Sequence, residues 1–98
     1  MYFHSDTEKV TDVHDCYVQK KGNCADLRLT FKLGGDAGAG HVLFNIPEGF
    51  RPKRNIKTGV ISDCGSPHMN INSDGCVYCD SALEANAWNF LYVSYLTA

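Results

Sequence analysis

Cys64, His68, Cys76 and Cys79 follow one another as Cys-x3-His-x7-Cys-x2-Cys, four side chains of the type that hold zinc. Against this, Cys76-Val77-Tyr78-Cys79 reads as extended chain, and residues three apart in a strand project to opposite faces. Reduced, structural cysteines and no bound metal are therefore expected. The chain has four histidines. It has no Gly-x-Ser-x-Gly elbow and no His-Glu-x-x-His pair, so neither a nucleophilic nor a metallohydrolase site is expected. His41 and His68 each open an outward-facing polar register, which suits solvated strand histidines better than general bases. Arg51, Lys53, Arg54 and Lys57 form a basic cluster that is either a solvated loop or the seat of an anionic, phosphate-bearing ligand. Trp88 and the tyrosines offer apolar ring faces that match the C–H face of a pyranose, and serve equally as core or subunit interface. The glycine-rich run Leu-Gly-Gly-Asp-Ala-Gly-Ala-Gly (33–40) lacks the Lys and Ser/Thr of a phosphate loop and reads as a flexible connection.

The elements that must position these groups are strands. In residues 25–33, Ala25, Leu27, Leu29, Phe31 and Leu33 alternate with Asp26, Arg28, Thr30 and Lys32, the period of a strand with one buried face. Before it, a two-residue Gly22-Asn23 loop sets Val18 opposite Leu27 and Cys16 opposite Leu29, with Gly22 suited to the first position of a type II′ turn. Cys24 then faces outward, on the other side from Cys16, so these two cannot be bridged. Val42, Phe44 and Ile46 share a face in the next strand, which Pro47 ends by removing a ladder donor. Ile56, Thr58 and Val60 form another inward set. A three-residue Ser73-Asp74-Gly75 loop pairs Ile71 with Val77 and Met69 with Cys79, and places glycine where a left-handed conformation is needed.

The last segment differs. Trp88, Phe90, Tyr92 and Leu96 lie on one face, and Leu91, Val93 and Tyr95 on the other. A strand that is apolar on both faces must be covered twice, by the core and by something else. Helix is limited to a turn near residues 80–87. The pattern is all-β, a small antiparallel β-sandwich or barrel. Residues 1–15 show no sustained period and read as a linker from something upstream; residues 16–98 form one β-domain.

Ninety-eight residues with 44% hydrophobic, 11% aromatic and 20% charged residues describe one folded domain with a modest core. A net charge of −2 gives no reason to expect nucleic acid as partner. No apolar run approaches a membrane span, and the N-terminal segment lacks the apolar stretch of a signal peptide. Synthesis in the cytoplasm is expected. Five cysteines, an odd number without a secretion signal, favour thiols over a disulfide framework.

Four pieces in order carry a resemblance: the Lys-x-Gly-Asn hairpin (20–23), the strand ending in Ile-Pro-Glu-Gly-Phe-Arg-Pro (46–52), the Ile-x-Ser-Asp-Gly-x-Val hairpin (71–77), and the terminal Trp-x-Phe with Ser-Tyr-Leu-Thr (88–97). Together they resemble the C-terminal receptor-binding β-domains of tail-fibre and baseplate proteins of bacteriophages and prophages of Gram-positive bacteria. In that family the corner commonly reads Leu-Pro-Glu-Gly-Tyr-Arg-Pro, from which Ile46 and Phe50 are conservative departures. The resemblance implies a compact antiparallel domain, typically trimeric, at the tip of a longer tail protein in the virion, binding host cell-wall saccharide without catalysis or cofactor. A trimerisation or attachment tip without ligand is the alternative. The family supplies no residue motif for sugar contacts. Arg54, His68, Asp74 and Trp88 are the candidate ligand residues, because they combine hydrogen-bonding or stacking capacity with loop or strand-end positions.

Overall fold

The computed structural model describes residues 2–5, 7–63, 67–80, 82–83 and 85–97. Eight strands follow in order: β1 (Val10–Lys21), β2 (Cys24–Leu33), β3 (Val42–Asn45), β4 (Ile56–Gly59), β5 (Ile61–Ser62), β6 (His68–Ile71), β7 (Cys76–Cys79) and β8 (Trp88–Leu96). They form two four-stranded antiparallel sheets, ordered β1-β2-β8-β5 and β3-β7-β6-β4. No helix occurs among the described residues. Both sheets feed one buried cluster, in which Phe31, Leu29 and Leu91 of the first meet Phe44, Met69 and Ile71 of the second. Phe31 and Phe44 pack edge to face at 5.1 Å between ring centroids, the arrangement favoured by aromatic quadrupoles.

Hairpin parity is met rung for rung. Val18 pairs with Leu27 and Cys16 with Leu29, all four buried, and Cys24 is exposed. Gly22 has φ +63° while Asn23 does not enter the positive region, the signs of a type II′ turn. In the second hairpin Ile71 pairs with Val77 and Met69 with Cys79. Gly75 closes the loop by donating its N–H to Asn72 O at 2.9 Å with φ +96°.

Three expectations are corrected. β1 begins at Val10, inside the segment read as linker, because two irregularities (between Val10 and Asp12, and between Val13 and Asp15) break the two-residue period without breaking the pairing with β2. Tyr2 and Ser5 also form bridges, to Tyr17 and Phe44. In β3, a bulge between Val42 and Phe44 turns Leu43 inward, so Leu43 and Phe44 are both fully buried while Val42 is only partly so. The glycine-rich segment is tied on both sides: Gly34 N–H donates to Lys9 O, Ala37 and Leu83 exchange two backbone hydrogen bonds, and Gly40 N–H donates to Cys79 O. Ala37 is fully buried and belongs to the core cluster.

Candidate functional site

The Ile46–Arg51 corner is built first, because it decides what the basic cluster can do. Pro47 O accepts from Phe50 N–H at 3.1 Å, closing a four-residue turn in which Gly49 has φ +93°, the type II position that glycine serves. Arg51 then folds back: Nε donates to Ile46 O at 2.8 Å and Nη2 to Asn45 Oδ1 at 3.2 Å. Lys20 Nζ caps Gly49 O at 3.2 Å, and Tyr95 Oη donates to Phe50 O at 2.5 Å. Burial lifts the Tyr95 phenol to about 12, so it stays protonated and available as donor. Gly75 docks under this corner, its carbonyl accepting Ile46 N–H at 2.8 Å. A Cβ on Gly75 would lie 2.5 Å from Arg51 Nε and 2.7 Å from Ile46 O. Asn23 O accepts both Thr97 N–H and, at 3.3 Å, Thr97 Oγ1.

The first three motifs and the Ser-Tyr-Leu-Thr part of the fourth therefore meet at one end of the molecule and hold one another there, while Trp88 and Phe90 lie toward the other end of β8. Their joint role is a latch, and Arg51 is spent on backbone carbonyl and side-chain amide. Lys57 leaves the cluster too, paired with Asp80 at 3.0 Å; that contact, with the Asn70 amide, holds the Asp80 carboxyl below the usual range. What remains of the cluster is Lys53 and Arg54, both exposed. They line a groove of about 410 Å³ with Ile56, Ser94, Tyr95 and Leu96.

The outer face of the β1-β2-β8-β5 sheet is the second feature. Along β8, Trp88, Phe90, Tyr92 and Leu96 point away from the core, while Asn89, Leu91 and Tyr95 are buried beneath. Tyr92 is 64% exposed and Leu96 63%, and Ile61, paired with Phe90 across β5, is 75% exposed. β8 is interior to the strand order, with β2 along its whole length on one side and β5 at Asn89 and Phe90 on the other. Arg28 lies over the Tyr92 ring at 5.5 Å and Lys32 over the Trp88 ring at 5.9 Å, in cation–π contact. Where β1 kinks, Asp12, Val13 and His14 join Thr30, Trp88 and Phe90 around a shallow depression of about 400 Å³.

The four candidate ligand residues fall into two places. Arg54 and Asp74 lie at the latch end: Lys53 N–H bonds Leu96 O, and Ser73 N–H bonds Asn55 Oδ1. Asp74 Oδ1 accepts Cys76 N–H at 3.1 Å, a turn-forming contact. Trp88 and His68 lie at the opposite end, His68 paired with Gly59 just before the β5 strand that reaches β8. Trp88 and Leu96 are eight residues apart on one strand, about 26 Å. One small ligand cannot touch all four residues.

The cysteines follow strand geometry. Cys79 is buried, its thiol donating to Gly38 O at 3.0 Å, with burial raising its pKa; Cys76, three residues earlier, is on the other face, partly exposed. Cys64 lies outside the described residues. Burial pushes the Cys16 thiol up to about 12. Among the described residues no three His, Cys, Asp or Glu side chains converge as metal ligands, and no helix is long and apolar enough to cross a membrane. Sequence reasoning missed the Asp12–His14 side of the Trp88 depression. The signal lay in Val13, an apolar residue amid acids, whose pairing was hidden by the bulges. Compared with models of known protein families, the chain matches none, and no curated protein matches its sequence.

Proposed function

We propose that this chain is a non-catalytic adhesion domain of a phage or prophage tail device, a β-sandwich that assembles into a trimer and binds host cell-surface saccharide. The observation that carries the reading is the uncovered strip on β8. A central strand with Phe90, Tyr92 and Leu96 exposed on its outer side, flanked by Ile61 and Val13, presents apolar surface that a solitary domain has no reason to keep. Copies of the chain cover it, and the grooves left at its margins receive sugar. The order of the four motifs supports the same family reading, and their interlocking gives the motifs a physical reason to occur together. Weak contacts at each groove would be multiplied by the number of copies at the tail tip.

A second reading has its own support. Because the shared motifs build a latch, a tip that only trimerises and attaches needs nothing more from them. Mass in solution together with a glycan array separates the two. A trimer that retains cell-wall saccharides supports adhesion. A trimer that retains none supports the structural tip, and a monomer that retains none refutes both.

A further inference from the structure

Of the four cations from Arg51 to Lys57, two have side-chain partners and, among the described residues, two have none. Arg51 holds Ile46 O and Asn45, and Lys57 holds Asp80. Lys53 and Arg54 line the groove of about 410 Å³ together with Ile56, Ser94, Tyr95 and Leu96. Among the described residues no carboxylate lines it. The closest acid along β2 is Asp26, opposite Ser94, and it is already engaged: Ser94 Oγ donates to Asp26 Oδ1 at 2.5 Å and Gln19 Nε2 to Oδ2 at 3.3 Å. Those contacts hold the Asp26 carboxyl below its usual range, with both its oxygens engaged. The registers of β1, β2 and β8 put Lys20, Lys21, Arg51, Lys53 and Arg54 at the same end of the molecule, five of its nine Lys and Arg, against Asp26, Glu48 and Asp74. At the other end stand Asp12, Asp36 and Asp63, with Lys9 and Lys32. A chain with net charge −2 thus carries its positive potential at the latch end.

We infer that the Lys53–Arg54 groove is a binding site for an anionic group, a phosphate or carboxylate, borne on a ligand whose remaining surface rests on Ile56 and Leu96. Arg54 offers the planar fork that matches either oxyanion, and Lys53 adds a point charge beside it. The apolar wall suits the C–H face of a sugar ring, so the ligand class is an acidic saccharide. This last step rests on the adhesion reading; the anion site itself does not.

The test is an amide-resolved NMR titration of the whole chain with inorganic phosphate, with glucuronic acid, and with neutral glucose as control. The site predicts saturable shifts from both anions, confined to residues 53–56 and 94–96, and none from glucose at equal concentration. Lys53→Gln with Arg54→Gln removes two exposed charges without touching the core, and should weaken the response about tenfold or more, since charge-assisted hydrogen bonds are each worth about that factor. Raising salt should weaken it as well. Shifts centred elsewhere, or unchanged in the double variant, overturn the site, as does the absence of saturation. A glycan array then separates the two layers: phosphorylated against uronate-bearing glycans identify the anion, while retention of neutral glycans alone would leave adhesion standing and overturn the acidic-saccharide assignment.

Discussion

Replacing Gly75 by alanine strikes the latch at its tightest point, and its cost can be assembled from two parts. Gly75 has φ +96°, beyond the region that an L side chain adopts easily, which costs roughly 1–3 kcal/mol. The new Cβ would also stand 2.5 Å from Arg51 Nε, 2.7 Å from Ile46 O and 3.0 Å from Asn45 Oδ1. Ile46 O is backbone, and it is fixed by the hydrogen bond between Ile46 N–H and Gly75 O, so it cannot move away cheaply. Arg51 can move, but doing so surrenders its bond to Ile46 O, roughly 1 kcal/mol for a partly exposed charged donor. The total is about 2–4 kcal/mol, a large share of the roughly 5–15 kcal/mol typical of a domain this size. Urea unfolding followed by far-UV circular dichroism measures it. Arg51→Ala alone should cost about 1 kcal/mol, and the double variant should cost less than the sum, because part of the Gly75→Ala penalty is the displacement of Arg51. Strict additivity would show that Gly75 and Arg51 do not share a site and would refute the latch.

Tyr95→Phe removes the hydroxyl that reaches Phe50 O; unfolding free energy should fall by about 1–2 kcal/mol, a loss of several degrees in Tm, with the corner otherwise in place. Stability should also decline in alkali. The folded pKa values of Cys16 and Tyr95, both about 12, lie above the ordinary 9.0 and 10.0, so the contribution is intact below pH 9 and drains away as pH rises toward 12; Cys16→Ala should remove the earlier part of the decline in pH-resolved urea titrations. A thiol reagent at neutral pH should modify exposed Cys24 rapidly and leave Cys16 and Cys79 intact until unfolding, which peptide mapping of the labelled protein would reveal.

What the sequence made legible, and what it hid, follows from the range of each interaction. The β1–β2 and β6–β7 registers were readable because parity within a short hairpin admits only one pairing that joins apolar to apolar, as for Cys16 with Leu29 and Met69 with Cys79. The doubly apolar β8 was readable for the same reason. Bulges defeat parity, which is why Val10–Asp15 and Leu43 were missed. The fate of the basic cluster was illegible, since Arg51 and Lys57 are claimed by partners that composition does not announce: a carbonyl five residues back and a carboxylate 23 residues on. Nor could the sequence place Ile61 beside Phe90, because β5 is only two residues long.

The outer β8 strip is the centre of the functional reading, and sedimentation of the native chain beside a Phe90→Glu, Tyr92→Glu variant addresses it directly. Both residues are exposed, so the substitutions leave the core intact. The native chain is expected to sediment at three times the mass of one chain and the variant as a folded monomer. A native chain that remains monomeric at the highest concentration reached, or a variant that assembles as well as the native chain, would contradict it.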